Sequence, residues 1–136
     1  MNLNQDELKR IFKNDHYAKL TNIELLTAGT GHATAKMTLH PHHLNALGTV
    51  QGGAIFTLAD FTFAVACNSH GTMAVALDVS IVFMKAVTTG TLWAEAVERS
   101  KNFKVGLYVV EVKDDAADLV ATFQGLAYRK IAPVPR

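Results

Sequence analysis

Residues Ala54 to Cys67 read Ala-Ile-Phe-Thr-Leu-Ala-Asp-Phe-Thr-Phe-Ala-Val-Ala-Cys, an apolar run with one carboxylate in its middle. The run falls short of the roughly 20 residues that a bilayer crossing takes. Its length suits a helix buried inside a globular fold. Apolar side chains lie nearly all round it, so little of it should face water. Gly52-Gly53 stand at its start and Gly71 just past its end, places where glycine is common. Thr57 and Thr62 can satisfy their hydroxyls locally, but Asp60 has no such explanation. A carboxylate within an apolar helix is costly unless it is paired, hydrogen-bonded or used.

The flanking sequence reads differently. Residues 5–13 form a short amphipathic helix with Leu8, Ile11 and Phe12 on one face. Residues 23–39 hold a strand or strand pair broken near Gly29-Thr30-Gly31. Residues 40–51 form a loop containing Pro41 and Gly48. Four strand-like runs follow the central helix, at 73–84, 91–99, 105–113 and 119–130. In the first of them Val75, Leu77, Val79, Ile81 and Phe83 alternate with smaller or polar residues, which predicts one inward row. Thr89-Gly90, Lys101-Asn102 and Asp114-Asp115 mark turns, and such short connections imply antiparallel neighbours. The tail from 131 to 136 is expected to fray. The reading is one α+β domain over residues 1–136, a sheet curled round one helix, with edges that invite a second copy.

Composition narrows the function. The chain has 136 residues, 49% of them hydrophobic and 18% charged, enough to bury a core. A formal net charge of +1 gives no bulk reason to bind nucleic acid or an anionic membrane. The lone Cys67 fits a reducing compartment, and the amino end lacks the pattern of a signal peptide, so a cytoplasmic protein is expected.

The segment from Asn45 through Gly52-Gly53 to Leu58-Ala59-Asp60 resembles the hotdog-fold thioesterases, most closely the phenylacetate-pathway acyl-CoA type. Asn45, Gly52 and Asp60 keep that family's intervals of seven and eight residues. The phrase Phe83-Met84-Lys85-Ala86-Val87 resembles its strand-end phrase. The resemblance implies a hotdog fold, acyl-CoA hydrolysis without a cofactor, and a homodimer often paired into a tetramer. Two departures stand out. Gln51 occupies a place where the family often has His. Some members carry Ser or Thr on the strand after the helix to orient water; here Ala76 falls there, with Asp78 or Ser80 as neighbouring substitutes.

Thioester hydrolysis needs donors for a developing oxyanion, a base or nucleophile, and a seat for coenzyme A. Gly52 and Gly53 open the helix, so their N–H groups lack helical partners and point toward negative charge. Gln51 offers a further amide donor. Asp60 is the expected base or nucleophile, with Asn45 a nearby donor able to keep it ionised. At about 1.5 Å rise per residue, Gly52 and Asp60 lie roughly 12 Å apart on one helix. One reacting centre must lie about 3 Å from both groups. Two antiparallel copies satisfy that condition and one copy does not. Lys85, Lys101, Asn102, Lys104 and Ser80 are the expected coenzyme A contacts.

His40, His42 and His43 have no second half that would complete a metal site, so no metal is expected. Two other functions stay open: a non-catalytic acyl-CoA-binding protein, and a hotdog dehydratase or hydratase. The second is disfavoured because no His stands at 51 or within the helix.

Overall fold

A computed structural model describes all residues, 1–136. Helix α1 spans Gln5–Phe12 and opens on a capping box, in which Glu7 N–H donates to Asn4 Oδ1 and Asn4 N–H donates to Glu7 Oε1. Helix α2, His16–Leu20, is one short turn more; Asp15 caps it by accepting from Ala18 N–H. Strands β1 (Ile23–Gly29) and β2 (His32–Thr38) form the hairpin expected round Gly31, whose φ of +68° only glycine adopts readily. A single 3₁₀ turn, Pro41–His43, leads through the loop to helix α3, Gly52–Asn68. Strands β3 (Thr72–Phe83), β4 (Thr91–Lys101), β5 (Val105–Lys113) and β6 (Leu119–Pro133) complete the chain.

All six strands form one antiparallel sheet in the order β1-β2-β4-β5-β6-β3. The sheet wraps α3, and Leu58, Phe63, Val65 and Ala66 bury against Met37, Leu92, Val110, Val112 and Phe123. Each fully buried large side chain contributes about 1.5–3 kcal/mol. The rings of Phe56 and Phe63 meet Phe123 with centroids 5.6 Å apart in each pair, tying the helix to β6. At its far end Asn68 Nδ2 donates to Ala64 O and Ala74 O, and Ala74 N–H donates to Asn68 Oδ1. These bonds fix where β3 leaves α3.

At the carboxyl end β6 runs to Pro133, Val134 is buried with its N–H donating to Gly71 O, and Arg136 pairs with Glu7. The structure corrects two expectations. The connection at Thr89-Gly90 does not join neighbours: β3 pairs with β6 at the sheet edge, while β4 lies between β2 and β5. The inward row of β3 is also not continuous. A bulge between Ala76 and Asp78 switches the strand's parity at Leu77. Ala76, Val79, Ile81 and Phe83 therefore face α3, opposite Ala127, Gly125, Phe123 and Ala121. Val75 pairs with Tyr128 and is exposed, and so is Leu77.

Candidate active site

Helix α3 starts where the loop of residues 44–50 closes on itself. Asn45 builds that loop. Its Oδ1 accepts from Leu47 N–H and Thr49 N–H, and its Nδ2 donates to Thr49 Oγ1 at 3.1 Å. Gly48 takes φ +80° in the turn. Asn45 is thus engaged in its own loop and makes no hydrogen bond to Asp60. Gln51 caps the helix without a side-chain bond and is exposed, leaving its amide free.

Neither Gly52 N–H nor Gly53 N–H donates to any group of the chain, while Ala54 N–H and Ile55 N–H both reach Gln51 O. Two free donors therefore point out of the positive end of a 17-residue helix. Gly52 is half-buried beneath Phe83, whose Cζ lies 3.2 Å from where a Cβ on Gly52 would be. Gly53 faces open space apart from Gln51 Cγ at 3.8 Å.

The accessible positions of α3 recur at Gly53, which is exposed, and at Thr57, Asp60 and Ala64, which are half-exposed, with Phe56 beside them. This is one stripe of the helix that its own sheet leaves uncovered. Asp60 sits on it with no hydrogen bond and no ion pair. Burial, and then the negative charge of Asp15, raise its carboxyl above the ordinary value of 3.8. Asp15, at the head of α2, was not singled out in the sequence; its only signal there was its fitness as a helix cap. Cys67, lower on the helix, is buried and its thiol is pushed up to about 12, so it acts as core and not as nucleophile.

The structure separates the expected coenzyme A contacts. Lys85 is held by Asp114 at 2.5 Å and Asp118 at 2.7 Å, so its charge is already matched. Ser80 pairs with Gln124 and Asp78 with Leu126 on the sheet face turned away from α3. Neither can stand in for Ala76, because the bulge has put them on the wrong side. Asn102 accepts from Lys104 N–H and Val105 N–H and so shapes the β4–β5 turn. Lys101 and Lys104 are exposed there without ion pairs. Beside the turn lies a cleft of about 530 Å³ lined in part by Phe103, Arg129 and Lys130. The partners of Lys85 and this turn lie at opposite ends of β5, about 30 Å apart over nine residues. They cannot both serve one ligand within one protomer.

The three imidazoles of residues 40, 42 and 43 lie close together, with the rings of His42 and His43 4.2 Å apart and tilted by 40°. They gather no carboxylate or thiol into a metal-binding group. No helix is long and apolar enough to cross a membrane.

The sequence profile of the thioesterase superfamily matches residues 47–121, the stretch that carries the helix start, Asp60 and most of the sheet. The chain belongs to the thioesterase superfamily. A protein of Archaeoglobus fulgidus is 42% identical over 120 residues, 88% of this chain and 78% of its own. The acyl-coenzyme A thioesterase PaaI of Escherichia coli is 36% identical over 88% of this chain and 86% of its own. The solved structure of the E. coli PaaI protein from the phenylacetic acid degradation operon superimposes with a TM-score of 0.89 at 33% identity. It covers 93% of this chain and 92% of that one. The hotdog fold expected from the sequence is the fold this thioesterase-superfamily chain adopts.

Proposed function

We propose that the protein is an acyl-CoA thioesterase whose reaction centre forms between two antiparallel copies of α3. The observation that carries this reading is the pairing, on one uncovered stripe, of two unpartnered helix-start amides with an unpartnered carboxylate. They are too far apart to act together in one chain. A second copy laid on that stripe brings its Gly52 and Gly53 to this chain's Asp60. The exposed edge of β3 supports the same contact. It offers unpaired backbone groups beside the exposed side chains of Leu77, Phe83 and Met84. A two-fold axis then makes two identical centres.

The thioester oxygen rests on the Gly52 and Gly53 amides of one protomer, with the exposed Gln51 amide in reach. Asp60 of the other takes a proton from water as the water oxygen attacks the carbonyl carbon, or attacks that carbon itself. In the base route the oxyanion collapses, the carbon–sulfur bond breaks, and the proton held by Asp60 passes to the sulfur, so coenzyme A leaves as the thiol and the acid is released. In the nucleophile route the collapse leaves a mixed anhydride on Asp60, and the thiolate takes a proton from water. A water molecule then hydrolyses the anhydride to free the acid and restore Asp60. The exposed Lys101 and Lys104 suit the phosphates of coenzyme A. The likeness to PaaI supports an acyl-CoA substrate, and the hotdog dimer is further expected to pair into a tetramer.

The test is free-thiol release across a panel of aromatic, medium-chain and hydroxylated acyl-CoA esters. Turnover that disappears in Asp60→Asn, with the dimer retained, supports the reading. Tight binding with no turnover by the unmodified protein would replace it with a non-catalytic acyl-CoA binder.

A further inference from the structure

His43 is buried to 2% exposure, and its ring and backbone tie its own turn to two other segments. Its Nδ1 accepts from His40 N–H at 2.9 Å. Its Nε2 lies 2.8 Å from Thr21 O, a carbonyl that can only accept, so Nε2 carries the hydrogen and Nδ1 is bare. The ring is thus a neutral imidazole of one defined tautomer. Its own carbonyl accepts from Gln51 N–H at 2.8 Å, the residue that caps α3. Both ring nitrogens are used, which removes His43 from any metal site.

These bonds join the two halves of the candidate site. Thr21 closes α2, the short helix that Asp15 opens and that packs on α3, and the charge of Asp15 is felt at Asp60. Gln51 precedes the two free glycine amides. We infer that His43 is a positioning residue for thioester hydrolysis: its ring holds the loop to α2, and its carbonyl aims the start of α3 at the substrate oxygen. The inference rests on the acyl-CoA thioesterase reading. A shift of about 1 Å in such donors costs up to about 10²-fold in rate, so the role lies in kcat more than in substrate binding.

The experiment compares His43→Leu, which removes both ring bonds, with His43→Asn and His43→Gln. Asn can still accept from His40 N–H, and Gln can still donate to Thr21 O. Each variant is measured as folded dimer by acyl-CoA turnover and by the ¹⁵N–¹H resonances of Gly52 and Gly53. The expected result is a fall of about 10–100-fold in kcat for His43→Leu, with KM within about twofold of the unmodified value. Partial recovery is expected in the two amide variants, and the glycine resonances should move in parallel. If His43→Leu does not fold, the amide variants carry the comparison, each with kcat below the unmodified enzyme. Unmodified kcat in every folded variant, with only the melting temperature lowered, overturns the inference. If the unmodified protein hydrolyses none of the panel, the thioesterase reading fails on its own. The resonances then decide, and unmoved Gly52 and Gly53 signals overturn the role of His43.

Discussion

The negative charge of Asp15, at the head of α2, is felt at Asp60, so the one acid on the uncovered face of α3 has a like charge acting on it as well as partial burial. Both effects act in one direction. They oppose ionisation of Asp60 and so make it a better acceptor of a proton from water at neutral pH. The same relationship has a cost in stability, because the folded chain carries a carboxylate that would ionise more readily when unfolded.

Asp60→Asn should therefore lose activity and gain stability together. Removing a positioned base costs about 10²–10⁴-fold in rate. For stability, a raised carboxyl favours the fold while protonated and loses that advantage as pH rises above its ordinary value of 3.8. The Asn variant should melt at a higher temperature than the unmodified protein at pH 7. The difference should shrink to nothing as pH falls below that value. Calorimetry across pH checks it, and a lower melting temperature at pH 7 contradicts it.

Asp15→Asn removes the neighbouring charge but leaves burial in place. The acid limb of the kcat/KM profile, which reports the free enzyme's base, should move to lower pH than in the unmodified enzyme. An unmoved limb would mean that Asp60 does not set it.

Gly52→Pro tests the oxyanion donors. Gln51 has φ −58° and ψ 131°, the extended geometry that a following proline favours, and the first helical position tolerates proline. The substitution deletes one free N–H, and its Cβ meets only the half-exposed Phe83 ring. Turnover should fall about 10²–10³-fold, with the helix signal in circular dichroism kept.

Leu77→Lys places a charge on the exposed edge strand, where the protomer buries nothing. Stability of the chain itself should change by less than about 0.5 kcal/mol. Sedimentation should show a monomer, with kcat/KM reduced at least about tenfold, since each centre needs two copies.

The outline of the fold was legible in the sequence because its cues are local. The apolar run of α3 bounded by Gly52 and Gly71, and the hairpin turns at Gly31 and Asn102, need no knowledge of distant residues. The misreadings have a common cause. One extra residue at Leu77 reverses which side Asp78 and Ser80 face, and alternation cannot show it. Lys85 meets carboxylates 29 and 33 residues away, and β3 pairs with β6 and not with the next strand in the chain, both arrangements set by tertiary structure. Helix α2, with five residues, is too short to show a period, yet the charge of Asp15 at its head is felt at Asp60. In the candidate site, Gly52, Gly53 and Asp60 could be named from spacing and burial. Asn45 was named from the same family spacing, and the structure gives it a local task in its loop.

The most direct measurement is complementation between two inactive variants. Asp60→Asn keeps the amide cradle, and Gly52→Pro keeps the acid. Co-expressed in equal amounts, they should form heterodimers in about half of all pairs, each with one intact centre and one doubly broken, so the mixture should recover about a quarter of unmodified turnover. Activity no greater than that of the two variants assayed separately, with heterodimers present, would show that each centre belongs to a single chain.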